Sequence, residues 1–258
     1  MKEALYKIPL IDAFKSGDEC PFCIIERDLE NKALDFVVGS DSYMQSDIRE
    51  QTDKAGFCRT HFKKMYDFGN AQGNGLILNT HLKKLIGELK DQLSSYKPAK
   101  ASLREKINLG ARSFNFDNPA DPIAIWCAKK DVSCYMCDYI DNTIDRYYDT
   151  FFFLYKKEPD FTDLIKNCKG FCLHHLGYLM EASRTCLSEK EMPAFTGIIF
   201  PLVEANLARV QEDVSWFCDK FDYRNKDADW KNSRDAIQRG MQKLRGIRPD
   251  EQPHKQEK

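Results

Sequence analysis

Cys20 and Cys23 stand three residues apart in CPFC, and Cys58 and His61 stand three apart in GFCRTH. The pattern returns as Cys134 and Cys137 in CYMC and as Cys172 and His175 in GFCLHH. In both copies 34 residues separate the two pairs, and each residue of the second set lies 114 positions after its counterpart. Three sulfurs and one imidazole nitrogen suit a tetrahedral Zn(II) with no open position, a structural rather than a catalytic site. The spacing therefore predicts one site of Cys20, Cys23, Cys58 and His61 and a second of Cys134, Cys137, Cys172 and His175, with two zinc ions per chain. Only His175 keeps the CxxH spacing, so His174 is left beside the second site.

Helix starts can present such pairs. Pro21 directly after Cys20 fits the first position of a helix, where free N–H groups and the helix dipole favour thiolate over thiol. Gly56 and Gly170 each precede a Phe and a ligand cysteine, and a glycine there can turn the chain into a new helix. Apolar residues follow a helical period from Ile25 through Leu29, Ala33 and Phe36, and again from Ile140 through Ile144, Tyr147 and Phe151. Leu78, Leu82, Leu85, Leu89 and Leu93 form a stripe on one long helix, and Val203, Leu207, Val210, Val214, Phe217 and Phe221 on another. Pro201 should lie in the first turn of the latter or kink it.

These patterns predict an all-α protein of two tandem helical repeats related by a pseudo-twofold, each with a Cys3His metal site. The repeats span 1–98 and 126–222. A linker (99–125), within a stretch from Ser94 to Ile125 broken by Pro98, Gly110, Pro119 and Pro122, has room for a short helix near Ser102–Leu109. A C-terminal helix, amphipathic through Ile237, Met241 and Leu244, and a tail complete 223–258.

Charge is balanced: 39 Lys and Arg against 40 Asp and Glu. Nucleic-acid binders carry a basic excess, so DNA and RNA are not expected partners. No apolar run approaches the length of a membrane span, and the N-terminal stretch is interrupted by Lys7, Asp12 and Lys15. The expectation is a cytoplasmic chain, where ten cysteines point to metal or redox chemistry rather than disulfides. The spare cysteines Cys127, Cys168, Cys186 and Cys218 read as core, as does Phe151–Phe153. His81 reads as a satisfied interface histidine.

Three other chemistries compete for the cysteines. CPFC resembles the glutaredoxin motif, but no strand precedes it and Cys58, His61 and the second copy stay unexplained. An iron–sulfur cluster can use three Cys and one His, with Cys127 and Cys168 as substitutes, giving a redox or electron-transfer protein. Catalytic zinc needs an open position and a general base, and no HExxH pairing is present. Glu26, Asp28 and Asp138 read as solvated or as partners of the ligands. No catalytic motif is identified, although an active-site cleft between the repeats is a third possibility. SYMQSDIRE (42–50) and FDYRNKDADW (221–230) read as capped, salt-bridged surface or as a binding patch.

The stretches YKIPLIDAF, ECPFCIIER, SYMQSDIREQTDKAGFCRTH, CYMC and GFCLHH resemble an uncharacterised family of clostridial Firmicutes proteins, and FDYRNKDADWKNSRDAIQRGMQKLRG is similar to that family's ending. The resemblance implies a bacterial cytoplasmic protein with paired Cys/His motifs and adds no reaction. The resulting expectation is a zinc-binding helical protein, a binding or regulatory module for a protein or small-molecule partner.

Overall fold

In the computed structural model, which describes residues 3–39, 41–100 and 119–255, the chain is helical and no strand occurs among those residues. Helix α1 (Glu3–Lys15) leads to α2 (Pro21–Leu34), which starts at Pro21 as the sequence requires. A π turn (Asp35–Gly39) and a 3-10 turn (Asp41–Met44) follow, then α3 (Ser46–Ala55), α4 (Arg59–Phe68) and α5 (Ala71–Ser94). Beyond residue 118 come α6 (Pro122–Val132), α7 (Tyr135–Lys157), α8 (Pro159–Asn167), α9 (Leu173–Cys186), α10 (Met192–Asp219), a 3-10 turn (Tyr223–Asn225) and α11 (Ala236–Arg245). The short helix expected near 102–109 lies outside the described residues. Caps follow local chemistry: the Asn70 side chain accepts from the N–H of Gly73 at the start of α5, and Asp121 accepts from Ile123 and Ala124 ahead of α6.

The chain divides into two compact units, residues 1–29 with 141–252 and residues 30–140 with 253–258. These units do not follow the bounds expected for the repeats, 1–98 and 126–222, since their boundaries fall inside α2 and α7. In the first unit Phe14, Phe22, Phe151 and Phe171 pack with ring centroids 5.8–6.5 Å apart. In the second, Val37, Val38, Phe57, Met65, Phe68 and Met136 are among the buried core residues. Phe22 and Met136 are internal residues of the two CxxC motifs, and Phe57 and Phe171 immediately precede the two CxxH motifs. The residues flanking the ligands thus anchor them in each core.

Several amphipathic readings are corrected. Leu78, Leu82 and Leu93 are exposed, and the buried residues of α5 are Gly73 and Ile77. Phe151 and Phe152 are core, but Phe153 is 39% exposed. Pro201 lies in the interior of α10 because that helix starts at Met192.

The largest inversion is α11. Met241 and Leu244 are exposed, while Arg239, Gln242 and Lys243 are buried. The reason is a polar network. The Lys243 ammonium donates to the Glu19 carbonyl at 2.6 Å and to the Lys169 carbonyl, and lies 3.3 Å from the Glu19 carboxylate. Arg209 pairs with the same carboxylate at 2.5 Å, Arg239 pairs with Asp213 and Asp235, and Gln242 donates to Asp18. Burial pulls the Lys243 pKa down, against the pull of the Glu19 carboxylate.

Removing one partner of a buried pair strands the other, at about 3–5 kcal/mol. Lys243→Ala is therefore expected to lower the unfolding free energy by about that amount, whereas Leu244→Ala should change it by less than about 0.5 kcal/mol. Denaturant titration of the two variants checks this, and equal effects would refute the inverted face.

Candidate metal centres

The eight ligand-type residues assemble into two clusters, but not in the pairs their order suggests. Cys20 and Cys23 meet Cys172 and His175 in the first unit. Cys134 and Cys137 meet Cys58 and His61 in the second. The expected sites, each built within one repeat, are thus corrected: every cluster takes its CxxC from one half of the chain and its CxxH from the other.

The distances fit a single ion. Nδ1 of His175 lies 3.1, 3.4 and 3.6 Å from the sulfurs of Cys172, Cys23 and Cys20, and Cys23 and Cys172 sulfurs are 3.7 Å apart. Nδ1 of His61 lies 3.1, 3.3 and 3.4 Å from the sulfurs of Cys134, Cys58 and Cys137, and Cys58 and Cys137 sulfurs are 3.8 Å apart. A tetrahedral zinc with ordinary bond lengths spaces its sulfurs about 3.8 Å apart and a sulfur from a nitrogen about 3.5 Å. Three sulfurs and one nitrogen at these separations can hold one such ion in each unit.

Helix termini set this geometry. Cys58 and Cys172 are the N-caps of α4 and α9, with nearly the same backbone angles (φ −71°, ψ 167° and φ −74°, ψ 162°). His61 and His175 fall one turn later on the same face. Gly56 and Gly170 both have positive φ, 67° and 77°, and a side chain at Gly56 would run into the His81 ring. His81 accordingly serves the fold, its Nδ1 3.0 Å from the Asp53 carbonyl. On the other side of the second unit's cluster, the N–H of Tyr135 donates to the Gly56 carbonyl at 2.9 Å. That bond fastens the CYMC turn to the loop leading into Cys58.

Each cluster concentrates charge on its own side chains. Burial disfavours the Cys134 thiolate, but the His61 hydrogen bond and the N–H groups of Cys137 and Cys58 outweigh it and bring its pKa to about 6. Burial also works against a charged His61, yet Cys134 and Glu30 raise its pKa to about 10. His175 is likewise raised to about 10, against burial, by Cys172 and Cys20. Cys172 is pulled down, chiefly by hydrogen bonds from Cys20 and Cys23. Cys23 is pushed up by its bonds to Cys172 and Cys20, and Cys137 by burial and the neighbouring thiolates.

Carboxylates on α2 face the outer nitrogens of both histidines. Glu30 Oε1 is 3.2 Å from His61 Nε2, and its other oxygen pairs with Lys64. Glu26 Oε2 is 3.4 Å from His175 Nε2, too poorly aligned for a hydrogen bond. A carboxylate hydrogen-bonded in this place, as Glu30 is to His61, orients a ligating imidazole and fixes its tautomer. Sequence reasoning named Glu26 only as one of several nearby acids and missed Glu30; the available signal was a glutamate at one and two turns beyond Cys23. Asp28 is exposed, and neither it nor Asp138 belongs to a cluster. Cys127, Cys168 and Cys186 are half-buried and Cys218 is exposed, so none is the core residue expected, and none joins a cluster.

Variants can read the pairing. Cys23→Ser with Cys172→Ser should cost one metal equivalent, whereas Cys23→Ser with Cys58→Ser should cost both; elemental analysis of the two double variants decides. The reverse result would restore pairing within each repeat. Because a metal displaces the protons on histidine and thiol, zinc binding should release at least about two protons per ion at neutral pH and weaken as pH falls. Indicator-dye titration of metal-stripped protein measures that release, and proton-neutral binding would contradict it.

No curated protein and no solved structure matches the chain. A family model covers residues 1–251, and by that match the chain belongs to the family of unknown function DUF6062.

Proposed function

We propose that the chain is a zinc-binding helical protein whose two Cys3His sites are structural and whose role is to bind or regulate a partner. The observation that carries this is the spacing of both ligand sets, which is that of four donors around one ion. In a four-iron cluster each ligand binds a different iron, so its ligands must stand farther apart than donors sharing an ion. Four protein donors per ion leave no open position for a substrate, which favours a staple over a catalyst. The ties are long: Cys23 meets Cys172 across 149 residues and Cys58 meets Cys137 across 79. Zinc ligation of this kind contributes on the order of 10 kcal/mol to folding.

All ten cysteines are free, which accords with a reducing cytoplasm. Among the described residues no helix is long and apolar enough to cross a membrane. The binding role draws on Phe221 and Tyr223, 77% and 85% exposed. They adjoin a loop gathered by the Lys220 ammonium, which donates to the carbonyls of Asn225, Lys226 and Ala228. Exposed aromatics on such a loop offer contact area at little entropic cost.

Protein purified without oxygen and without a metal-affinity tag should hold about two zinc per chain and show no visible absorbance. Chelation should lower its melting temperature. Iron with sulfide and a broad visible absorbance would replace this reading with a redox protein.

A further inference from the structure

The two clusters differ on the outer side of their histidines. In the second unit Glu30 faces His61 and is neutralised by Lys64. The positions of the second copy that correspond to Thr60 and Lys64 hold His174 and Tyr178. Glu26 thus has an imidazole and a phenol for company where Glu30 has a lysine. Oxygen and nitrogen donors of Glu26, His174 and His175 all lie within 4.8 Å of one another.

Two buried polar atoms beside this cluster lack hydrogen-bond partners. One is Nε2 of His175, a residue 1% exposed, which faces Glu26. The other is the hydroxyl of Tyr148, 3% exposed. Tyr148 stacks between Phe22 at 4.4 Å and Tyr178 at 6.3 Å, and Tyr178 packs against His174 at 4.9 Å. Burial first, and then the charges of Cys20, Cys172 and Glu26, keep that hydroxyl protonated. A buried polar atom left unpaired is costly, and an ion held at Glu26 supplies a partner for the His175 nitrogen.

We infer that Glu26, His174 and the Nε2 edge of His175 form a third metal site, for an exchangeable divalent first-row ion. Two imidazoles and one carboxylate are a common donor set for such ions, and three protein ligands leave a position for water or substrate. His175 then bridges, its Nδ1 toward the cysteine-held ion and its Nε2, which loses its proton to solvent, toward the new one. The negative charge favours it: three thiolates exceed the charge of one zinc, and Glu26 adds another. His174 is exposed, so its ring can close onto an arriving ion. The site rests on the reading that the Cys3His clusters hold zinc, and it converts one of them from a pure staple into a support for exposed metal.

The test starts from full-length protein with zinc in its cysteine sites, confirmed by elemental analysis, and adds Co(II), which does not displace zinc from thiolates on affinity grounds. One further equivalent should bind, with the weak visible bands of nitrogen and oxygen ligation and no new thiolate charge-transfer absorption. His174→Ala should abolish that equivalent, Glu26→Gln should weaken it by at least about tenfold, and His254→Ala, a surface control, should leave it intact. No cobalt bound, binding retained in His174→Ala, equal loss in His254→Ala, or thiolate bands would each overturn the third site. Absence of zinc from the starting protein would instead overturn the structural-zinc reading.

Discussion

Convergence of four donors to within a few ångström, twice, is the constraint on which the rest of this structure depends. Neither cluster can form from one stretch of chain. Each needs the start of one helix, α2 or α7, against the N-cap of another, α9 or α4. The packing is arranged to make that possible: Phe22 and Phe171, their ring centroids 6.0 Å apart, are buried in the core that carries one cluster, and Met136 and Phe57 in the core that carries the other. Hydrophobic burial of about 2 kcal/mol per large side chain therefore acts directly on donor position, and an ion bound there would lock what packing has approximated.

The C-terminal helix serves the same end by a different force. Lys243 holds the carbonyl and carboxylate of Glu19, the residue before ligand Cys20. At the end of that helix Gly246 turns with φ 75°, and a Cβ there would lie 3.4 Å from the Cys23 sulfur and 3.8 Å from that of Cys172. The helix terminus thus closes over the sulfurs of Cys23 and Cys172, at a position where the left-handed backbone would strain any side chain. Burying charge to achieve this is expensive unless every partner is present. That explains why Arg209, Arg239, Asp213 and Asp235 accompany the pair.

Asymmetry between the clusters is as informative as their likeness. Both have a carboxylate behind the histidine, but only Glu30 is hydrogen-bonded to it, as suits an imidazole held in one orientation for a metal. In the second unit a lysine completes that arrangement, and no buried side-chain atom of its described residues is left unpaired. In the first, a histidine and buried unpaired atoms remain, so the same scaffold carries residues beyond those a staple requires.

What the sequence determined by itself was the donor set and the local geometry. Spacing of three, Pro21 after Cys20, and Gly-Phe ahead of Cys58 and Cys172 identify helix starts carrying ligands, and the 3.6-residue period identifies the helices. Pairing was not legible, because both CxxC motifs are chemically equivalent partners for either CxxH. Loop closure favours the nearer partner across 34 residues, but the penalty for spans of 149 and 79 is only about 2 kcal/mol in all. Side-chain packing around Phe22, Phe171, Phe57 and Met136 outweighs that easily. The buried face of α11 was hidden for a related reason. Periodicity points Met241 and Leu244 inward, and only the fold brings Glu19, 224 residues before Lys243, to the place where charge must be answered.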